Sequence, residues 1–466
     1  MAAFSLLQLA SPLARAVEVL GFTAMTPVQE HSLPALVAGK DVIAQARTGS
    51  GKTAAFGLGL LSRIDTSSDV PVQALVLCPT RELAEQVSTE LRKLARFIPN
   101  FRVVTLCGGV PVRTQTPSLQ TAPHVLVGTP GRILDHLRRK TLELGGLKVL
   151  VLDEADRMLD MGFAESIDEF IAQTPRTRQT NMFSATFPDE IRSLSKSFQR
   201  TPVEVTVDSA PDEVEIEQLF YEVEPDKKLD ALAALLTEHA PESTLVFCHT
   251  RNDVRDVAVQ LERRGWSTLA LHGELEQRER DEVLLRFSNK SASVLVATDV
   301  AARGLDIKGL AAVIAWELPT DPDIHVHRIG RTGRAGQKGL ALTLVSRRER
   351  ERVVAIQDRA GAPVQWREVD LGKKPVAPKP APMVTFMIEG GKQDKLRAGD
   401  LLGALIKDIG LPGDAIGKID IGASRSYVAI RSEHADKALQ GMKASKIKGK
   451  TFRAWKLGAR GGHDVD

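Results

Sequence analysis

The sequence predicts an α/β protein in which two parallel-sheet domains are followed by a small α+β domain. Two series of short apolar segments, separated by helical patterns, predict the two sheets. The order strand–helix–strand–strand–helix–strand predicts the third domain. A chain of 466 residues is long enough for all three.

The first domain is predicted over residues 1–207. Its apolar segments read DVIAQA, ALVLCP, HVLVGTP, VLVLDEA and NMFSAT. Segments that are apolar throughout are typical of parallel strands, which helices cover on both faces. We therefore expect these segments to form one sheet enclosed between two helical layers.

The second domain is predicted over residues 213–370, with the segments TLVFCHT, STLALHG, SVLVATD, AAVIAWE and LALTLVS. The acidic stretch DSAPDEVEIEQ, residues 208–218, predicts a hinge between the two sheets. Residues 371–382 are rich in Pro and Lys and predict a stiff, extended linker. The last domain, residues 383–460, has the ferredoxin-like order that RNA-recognition domains also use.

Charge is unevenly distributed along the chain. The net charge is +3, but residues 371–466 contain 18 Lys and Arg against 10 Asp and Glu, and the rest of the chain contains 44 against 49. A basic end on a slightly acidic body favours a nucleic-acid partner. No apolar run has the length of a membrane span, so we expect no membrane association.

Three isolated cysteines, Cys78, Cys107 and Cys248, predict free thiols in a reducing compartment. The N-terminus lacks the basic region and cleavage site of a secretory signal. We therefore expect a cytoplasmic protein. Nothing in the sequence requires oligomers, so we expect a monomer.

A phosphate-binding loop is predicted at ARTGSGKT, residues 46–53, between a strand and a helix. Gly49 and Gly51 allow backbone N–H groups to face phosphate oxygens, and the helix N-terminus adds its dipole. Lys52 is expected to reach the β- and γ-phosphates, and Thr53 to bind Mg²⁺. The general pattern is met except at its first position, Ala46, so a chance loop is the alternative.

Two adjacent carboxylates, Asp153 and Glu154, end the apolar segment VLVLDEAD. Ligands of open parallel sheets bind at the carboxyl ends of strands, where the phosphate loop also lies. Asp153 is expected to hold Mg²⁺ through water, and Glu154 to polarise the attacking water. A solvated acidic strand end is the alternative, and the pairing with Lys52 disfavours it.

Residues 153–156 spell D-E-A-D, and the chain resembles the DEAD-box ATP-dependent RNA helicases, which consist of two tandem RecA-like domains. GFTAMTPVQ resembles the Q motif of that family, within residues 20–30, and Ala46 is the residue that the family carries at that position. The resemblance implies that ATP is contacted by Phe22, Gln29, Ala46, Arg47, Thr48, Gly49, Ser50, Gly51, Lys52, Thr53, Asp153, Glu154, Gly304, Asp306, Arg331 and Arg334.

Further segments match the family's RNA-contacting and coupling motifs: PTRELAEQ, GG, TPGR, SAT, LVFCHTR, QRER and TDVAARGLDI. The resemblance implies that Ser184, Thr186 and His327 couple hydrolysis to strand separation. It also implies RNA contacts at Thr80, Arg81, Gly109, Thr129, Arg132, Thr250, Arg251, Gln277, Arg280 and Thr298.

HRIGRTGR, residues 327–334, places Arg328, Arg331 and Arg334 at intervals of three. In a helix, residues three apart share a face, so these guanidinium groups are expected to point the same way. A solvated face is the alternative. The resemblance implies that Arg331 and Arg334 are catalytic arginine fingers, which are typically worth about 10³ to 10⁵ in rate.

The C-terminal domain lacks the full aromatic motif of RNA-recognition domains. In ASRSYVAI only Tyr427 and Val428 match, and Arg425 and Ile430 replace aromatics. Alternation predicts Arg425 and Tyr427 on one face and Val428 and Ile430 toward the core. Recognition of RNA shape by an Arg-rich or loop-based surface is therefore favoured over stacking on the sheet.

The basic segment KASKIKGKTFRAWK, residues 443–456, belongs to this domain. Predicted RNA contacts in the domain are Arg425, Tyr427, Lys446, Lys448, Lys450 and Arg453. Trp455 is equally compatible with a core position and with an RNA-facing one. The domain resembles that of bacterial DEAD-box helicases that bind a 23S rRNA hairpin and pre-50S particles.

The sequence therefore predicts an RNA-dependent ATPase that uses ATP and Mg²⁺ to unwind or remodel structured RNA locally. The resemblance implies targeting to 23S rRNA during assembly of the large ribosomal subunit. The alternative from another class is a scaffold that clamps RNA in response to ATP without unwinding it. Intact Glu154, Arg331 and Arg334 favour turnover, and a DNA helicase is a poorer third candidate because contacts to sugar hydroxyls belong to RNA.

Overall fold

The computed structural model of the 466-residue chain describes residues 3–46, 49–67, 70, 72–187, 189–207, 216–302, 309–333, 338–372 and 377–458. The chain divides into two compact units at residues 212 and 213. Among the described residues, no helix combines the length and the apolar composition that a membrane span requires.

The first unit contains a seven-stranded parallel sheet with the order β3-β4-β2-β5-β6-β1-β7. The strands are β1 Val42–Gln45, β2 Ala74–Leu77, β3 Val103–Leu106, β4 Val125–Gly128, β5 Val149–Asp153, β6 Gln179–Ser184 and β7 Val203–Thr206. The helices are α1 Ser11–Val19, α2 Pro27–Val37, α3 Lys52–Leu61, α4 Arg81–Leu94, α5 Val112–Gln120, α6 Pro130–Arg138, α7 Ala155–Asp160, α8 Ala164–Ile171 and α9 Asp189–Phe198.

Both faces of this sheet are buried, as its apolar strands predict. Successive residues of β2 point to opposite faces: Val76 packs into one hydrophobic cluster, and Leu75 and Leu77 pack into the other. Because β5, β6 and β1 are parallel neighbours, the polar groups at their carboxyl ends lie along one edge of the sheet.

The second unit contains a further seven-stranded parallel sheet with the order β10-β11-β9-β12-β13-β8-β14. Its strands are β8 Ile216–Glu222, β9 Thr244–Cys248, β10 Thr268–Leu271, β11 Val294–Thr298, β12 Ala312–Ala315, β13 Gly339–Val345 and β14 Gln365–Arg367. Its helices are α10 Lys228–His239, α11 Arg251–Arg263, α12 Gln277–Ser288, α13 Asp299–Ala302, α14 Pro322–Ile329 and α15 Arg350–Ala360.

A four-stranded antiparallel sheet with the order β16-β17-β15-β18 completes this unit. Its strands are β15 Met383–Ile388, β16 Ile416–Ile421, β17 Ser426–Arg431 and β18 Ala454–Lys456, and its helices are α16 Ala398–Gly403, which a π-helical turn Ala404–Asp408 continues, and α17 Ala435–Ala444. Phe386, Val428 and Ile430 are fully buried between the sheet and these helices. The predicted fold class is confirmed.

The structure corrects three local predictions. Residues 216–218, assigned to the hinge, begin β8, because β13 supplies a parallel partner for them. The last strand is confined to Ala454–Lys456, where it pairs with β15. The edge strands β3, β7 and β14, and the strand β8 next to β14, were not predicted from the sequence. The three cysteines are buried free thiols, as predicted.

Candidate nucleotide and RNA sites

The phosphate loop joins β1 to α3, and two left-handed glycines shape it. Gly49 has φ 89° and Gly51 has φ 93°, a conformation that only glycine adopts without strain. Gly51 is the N-cap of α3, so the first free N–H groups of the helix follow it directly. Lys52 is buried, and its Nζ donates to the Ala46 carbonyl at 2.9 Å. Arg47 and Thr48 lie outside the described residues.

The Q motif supports this loop through side-chain hydrogen bonds. Thr26 Oγ1 donates to the Ser50 carbonyl at 2.7 Å, and Gln29 Nε2 donates to the Gly51 carbonyl at 3.1 Å. Gln29 Oε1 also accepts from the Thr26 N–H at 2.9 Å. Gln29 thus stabilises the loop, and its contact with ATP stays a prediction.

Gly51→Ala is expected to weaken nucleotide binding by at least about tenfold, because strain of this kind costs on the order of 1–2 kcal/mol. A Cβ atom at residue 51 would lie 2.5 Å from Gln29 Nε2, so the loop has to shift as well. The measurement is titration with a fluorescent ATP analogue. The control is Gly162→Ala, where φ is +75° but the space around the added Cβ is open. Equal affinity in the Gly51 variant and the wild type would contradict the loop assignment.

Asp153 is the last residue of β5, and Glu154 follows it at the same sheet edge. Asp153 is buried, and its Oδ1 has no hydrogen-bond partner among the described residues. Burial raises the pKa of the Asp153 carboxyl to about 7, the charge of Lys52 opposes this shift, and the charge of Glu154 adds to it. Glu154 adopts the left-handed conformation with φ 54° at the N-cap of α7. Strained non-glycine residues of this type cluster at functional sites.

This donor set fits a divalent cation. Mg²⁺ prefers oxygen ligands, and Asp153 offers a buried carboxylate oxygen without a partner. Thr53 follows Lys52 in the first turn of α3. Asp153 and Thr53 are therefore the residues that would hold Mg²⁺.

Asp156 connects the D-E-A-D segment to the S-A-T segment, a role that was not predicted from the sequence. Its Oδ2 accepts from Ala185 N at 3.2 Å, from Thr186 N at 3.1 Å and from Thr186 Oγ1 at 3.0 Å. Ser184 Oγ in turn accepts from Asp156 N at 3.3 Å. Thr186 and Ser184 are thus hydrogen-bonded directly to Asp156, two residues after Glu154. The signal in the sequence was the fourth letter of the D-E-A-D segment.

Phe22, one of the predicted ATP contacts, lies against a second ring. Phe4 is buried, and its ring centroid is 6.0 Å from that of Phe22 at an interplanar angle of 29°. Phe4 was not singled out from the sequence, because a lone Phe at the chain start carries no motif. The contact fixes one side of the Phe22 ring.

Predicted RNA contacts of the first unit cluster at two helix N-termini. Thr80 is the N-cap of α4 and Thr129 the N-cap of α6, and these helices follow the neighbouring strands β2 and β4. Helix N-termini present free N–H groups that bind phosphate well. Arg132 is engaged within the protein: it donates to Gln115 Oε1 at 2.5 Å and to the Val110 carbonyl at 2.6 Å, next to Gly109. RNA contacts at these residues and at Arg81 stay predictions.

Three of the predicted RNA contacts of the second unit also lie at helix starts. Thr250 is the N-cap of α11, and Arg251 pairs with Glu274 at 2.5 Å. Gln277 begins α12 and donates to Asp281 at 2.8 Å. RNA contact at these three residues stays a prediction.

The expected common face of the three arginines in HRIGRTGR is wrong for Arg328. Helix α14 ends at Ile329, so Arg331 lies beyond the helix. Arg328 is only 2% exposed and points into the domain, whereas Arg331 is partly exposed. The burial of Arg328 follows from a partner, Asp299, that spacing does not reveal. Gly304, Asp306 and Arg334 lie outside the described residues.

The outer face of the C-terminal sheet is covered by the end of α12 and the residues after it. Thr385 is on the face opposite the core yet only 1% exposed, and its Oγ1 lies 2.6 Å from Ser291 Oγ. Met383 N donates to the Lys290 carbonyl at 3.3 Å. Tyr427 lies on the same face and is partly buried.

The surroundings of Tyr427 argue against base stacking. Burial raises the pKa of the Tyr427 hydroxyl, and the charge of Glu282 on α12 adds to the shift. Trp455 pairs with Met387 on this outer face and is partly buried, whereas Phe452 and Ala454 belong to the core. Trp455 is therefore not a core residue, and RNA contact at Tyr427 stays a prediction that the geometry disfavours.

Exposed cations gather instead along one edge of the C-terminal domain. Lys448 pairs with Asp400 at 2.8 Å and donates to the Lys395 carbonyl at 3.3 Å, and Lys450 lies 3.9 Å from Asp394. These contacts join the predicted basic segment to the loop before α16. We call this surface the basic edge, formed by Lys392, Lys395, Arg397, Lys446, Lys448 and Lys450.

Arg425 borders the basic edge. Its carbonyl accepts from Gly422 N at 2.8 Å, and the Gly422 carbonyl accepts from Lys392 N at 2.9 Å. Arg453 is exposed. The RNA contacts predicted from the sequence did not include Lys392, Lys395 and Arg397, although the segment GKQDKLR is rich in basic residues.

Family comparisons agree with this arrangement. The DEAD/DEAH box helicase model matches residues 26–194, the helicase conserved C-terminal domain model matches residues 227–336, and the DbpA RNA binding domain model matches residues 385–456. The chain belongs to the DEAD/DEAH box helicase family and carries a DbpA-type RNA-binding domain. Members of this class are RNA-dependent ATPases that act as RNA helicases, and the chain is one of them.

One relative matches nearly the whole chain. The ATP-dependent RNA helicase DbpA of Escherichia coli (strain K12) is 52% identical over 454 residues, which cover 97% of this chain and 99% of that protein. The DEAD-box ATP-dependent RNA helicase CshA of Geobacillus kaustophilus is 46% identical over 75% of this chain and 74% of its own. S. cerevisiae Dbp5 bound to RNA and ADP BeF3 has a TM-score of 0.72 and 32% identity, over 79% of this chain and 96% of that chain.

Proposed function

We propose that this helicase remodels structured elements of the 23S rRNA during assembly of the large ribosomal subunit, and that its C-terminal domain selects the target. The observation that carries the proposal is the basic edge on a domain of the DbpA RNA-binding type. The proposed substrates are pre-50S particles that contain an exposed 23S rRNA hairpin. We further propose that the enzyme acts in the cytoplasm as a monomer.

The first domain binds ATP. The N–H groups that follow Gly51 hold the phosphates, and Lys52 leaves the Ala46 carbonyl to bind the β- and γ-phosphates. Glu154 polarises the attacking water. Asp156, which accepts a hydrogen bond from Thr186, links the D-E-A-D segment to the S-A-T segment during hydrolysis. Arg331 and Arg334 supply the positive charge for the transition state when the two helicase domains close.

Magnesium is part of this proposal. Asp153 and Thr53 would hold Mg²⁺, which would supply positive charge next to the phosphates. The buried Asp153 carboxyl, whose pKa is raised to about 7, gains an opposite charge in that state.

The basic edge chooses the RNA. The helicase motifs contact phosphates at helix N-termini, which carry no sequence information. The C-terminal sheet face is covered at Thr385, so bases have no open platform there. Cations spread over two loops suit a folded hairpin, which is recognised by its shape and backbone.

A full-length variant in which Lys392, Lys395, Lys446 and Lys450 are changed to Ala is expected to lose about 10- to 100-fold in affinity for a 23S rRNA hairpin fragment. Each lost phosphate contact also lowers the slope of log affinity against log salt by roughly one. The measurement is RNA-stimulated ATPase activity with the hairpin fragment and with bulk RNA.

The control is Lys407→Ala/Lys418→Ala, which removes two exposed lysines of the same domain outside the basic edge. We expect the control to keep the preference for the hairpin, and the quadruple variant to respond equally to both RNAs. An unchanged hairpin preference in the quadruple variant would show that the target is chosen elsewhere.

A further inference from the structure

Arg328 has the largest of the fully buried side chains in the part of the chain that the structure describes. Its Nε donates to Asp299 Oδ1 at 2.8 Å and its Nη2 donates to Asp299 Oδ2 at 2.7 Å. Its Nη1 donates to the Glu317 carbonyl at 2.7 Å, and its Cζ atom lies 5.1 Å from the Phe247 ring centroid. A buried bidentate ion pair of this kind holds the guanidinium and the carboxylate in a single relative orientation.

Asp299 begins α13, directly after Thr298, which ends β11. Two groups fix this short segment besides Arg328. Thr298 Oγ1 accepts from Ala301 N at 3.3 Å, and Arg280 of α12 donates to the Ala301 carbonyl at 2.6 Å. Thr298 and Arg280 are both predicted RNA contacts, so α13 lies between the RNA-contacting residues and α14.

At the other end of the connection, Arg331 is tied to Arg328 through the backbone. Arg331 N donates to the Arg328 carbonyl at 3.2 Å, and the Arg331 carbonyl accepts from Leu310 N at 3.2 Å. Any shift of Arg328 along α14 therefore moves the backbone of Arg331.

We propose that the Asp299–Arg328 pair is a positioning element: it fixes the Arg331 finger relative to the RNA-contacting residues Thr298 and Arg280, so that bound RNA sets the finger in place. The inference rests on the proposed RNA-stimulated ATP hydrolysis. Neither residue touches nucleotide or RNA in this proposal. Both act through their neighbours.

The test compares Arg328→Lys and Asp299→Asn in the full-length protein. Lysine keeps the charge but cannot form the two-pronged pair, and asparagine keeps the size of aspartate but loses one acceptor. We expect each variant to lose at least about tenfold in kcat at saturating RNA and ATP. The stimulation ratio, kcat with RNA over kcat without RNA, is expected to fall by the same factor, while affinity for a fluorescent ATP analogue changes less than about twofold.

The double variant Arg328→Lys/Asp299→Asn decides whether the two residues act as a unit. Residues that work through one shared contact are non-additive, so the double variant is expected to lose little more than either single variant. The control is Arg359→Gln. This change breaks an exposed ion pair between Arg359 of α15 and Asp323, which lies on α14 as Arg328 does. We expect it to leave the stimulation ratio unchanged.

Three results would overturn the inference: a wild-type stimulation ratio in both single variants, losses that multiply in the double variant, or failure of both single variants to unfold cooperatively in a thermal melt. If only Arg328→Lys misfolds, Asp299→Asn decides. A wild-type protein without any RNA stimulation would remove the proposed function as well, whereas normal wild-type stimulation with unaffected variants removes this inference alone.

Discussion

Lys52→Ala is expected to lower ATP hydrolysis by about 10²- to 10³-fold, because preorganised positive charge on transferring phosphates is usually a large part of catalysis. Lys52 is held at the loop by its hydrogen bond to the Ala46 carbonyl. The measurement is steady-state ATPase activity at saturating RNA, with a thermal melt of the same preparation to show that the fold is kept.

Lys196→Ala is the matched control, because Lys196 is an exposed lysine on α9 of the same domain. We expect this control to turn over ATP at the wild-type rate. Turnover within about twofold of the wild type in Lys52→Ala would show that the phosphate loop is not the catalytic site.

Glu154→Gln is expected to bind ATP and RNA and to hydrolyse ATP about 10²- to 10⁴-fold more slowly, the range that a general base contributes. Glutamine keeps the size of the side chain but accepts no proton. Because ATP hydrolysis is proposed to end the state that binds RNA tightly, RNA is expected to dissociate slowly from the ATP-bound variant. Single-turnover ATPase assays and RNA dissociation rates measure the two effects.

The control for this variant is Glu165→Gln, an exposed glutamate on the neighbouring helix α8. It is expected to behave as the wild type does in both assays. A Glu154→Gln protein that neither binds RNA tightly with ATP nor releases it slowly would point to a structural role for Glu154 and would leave the attacking water without its proposed partner.

The sequence predicted most of the helicase fold because each central strand is a continuous apolar run that only a doubly covered parallel sheet explains. The edge strands were harder to predict. β14 is three residues long and exposed, and β7 has an exposed Glu204, so neither shows the apolar run. Pairing with β8 and β1 decides them, and pairing partners are not local information.

The nucleotide site was predictable for a similar reason. The chemistry of the phosphate loop depends on consecutive residues, from Ala46 to Thr53, and backbone geometry at Gly49 and Gly51 follows from residue type. The contacts that support the site were less visible. Asp156 and Phe4 act through partners about 30 and 18 residues away in sequence, Thr186 and Phe22.

In the C-terminal domain, the periodicity assigned Val428 and Ile430 to the core, as observed. The same periodicity left the other face open to solvent, and the structure shows it covered at Thr385 and beside Tyr427. Alternation tells which residues share a face, but what covers that face depends on another domain.

The family, the fold class and the predicted phosphate loop follow from local order and residue type, so the amino-acid sequence alone was enough to infer them. Only the tertiary structure decided that Arg328 is buried against Asp299 and that Lys392 and Lys395 join Lys448 in one basic edge. The physical reason is the same in both cases. A charged side chain has the same intrinsic preferences in any sequence, and its burial and its partners are set by chain segments that folding brings to it.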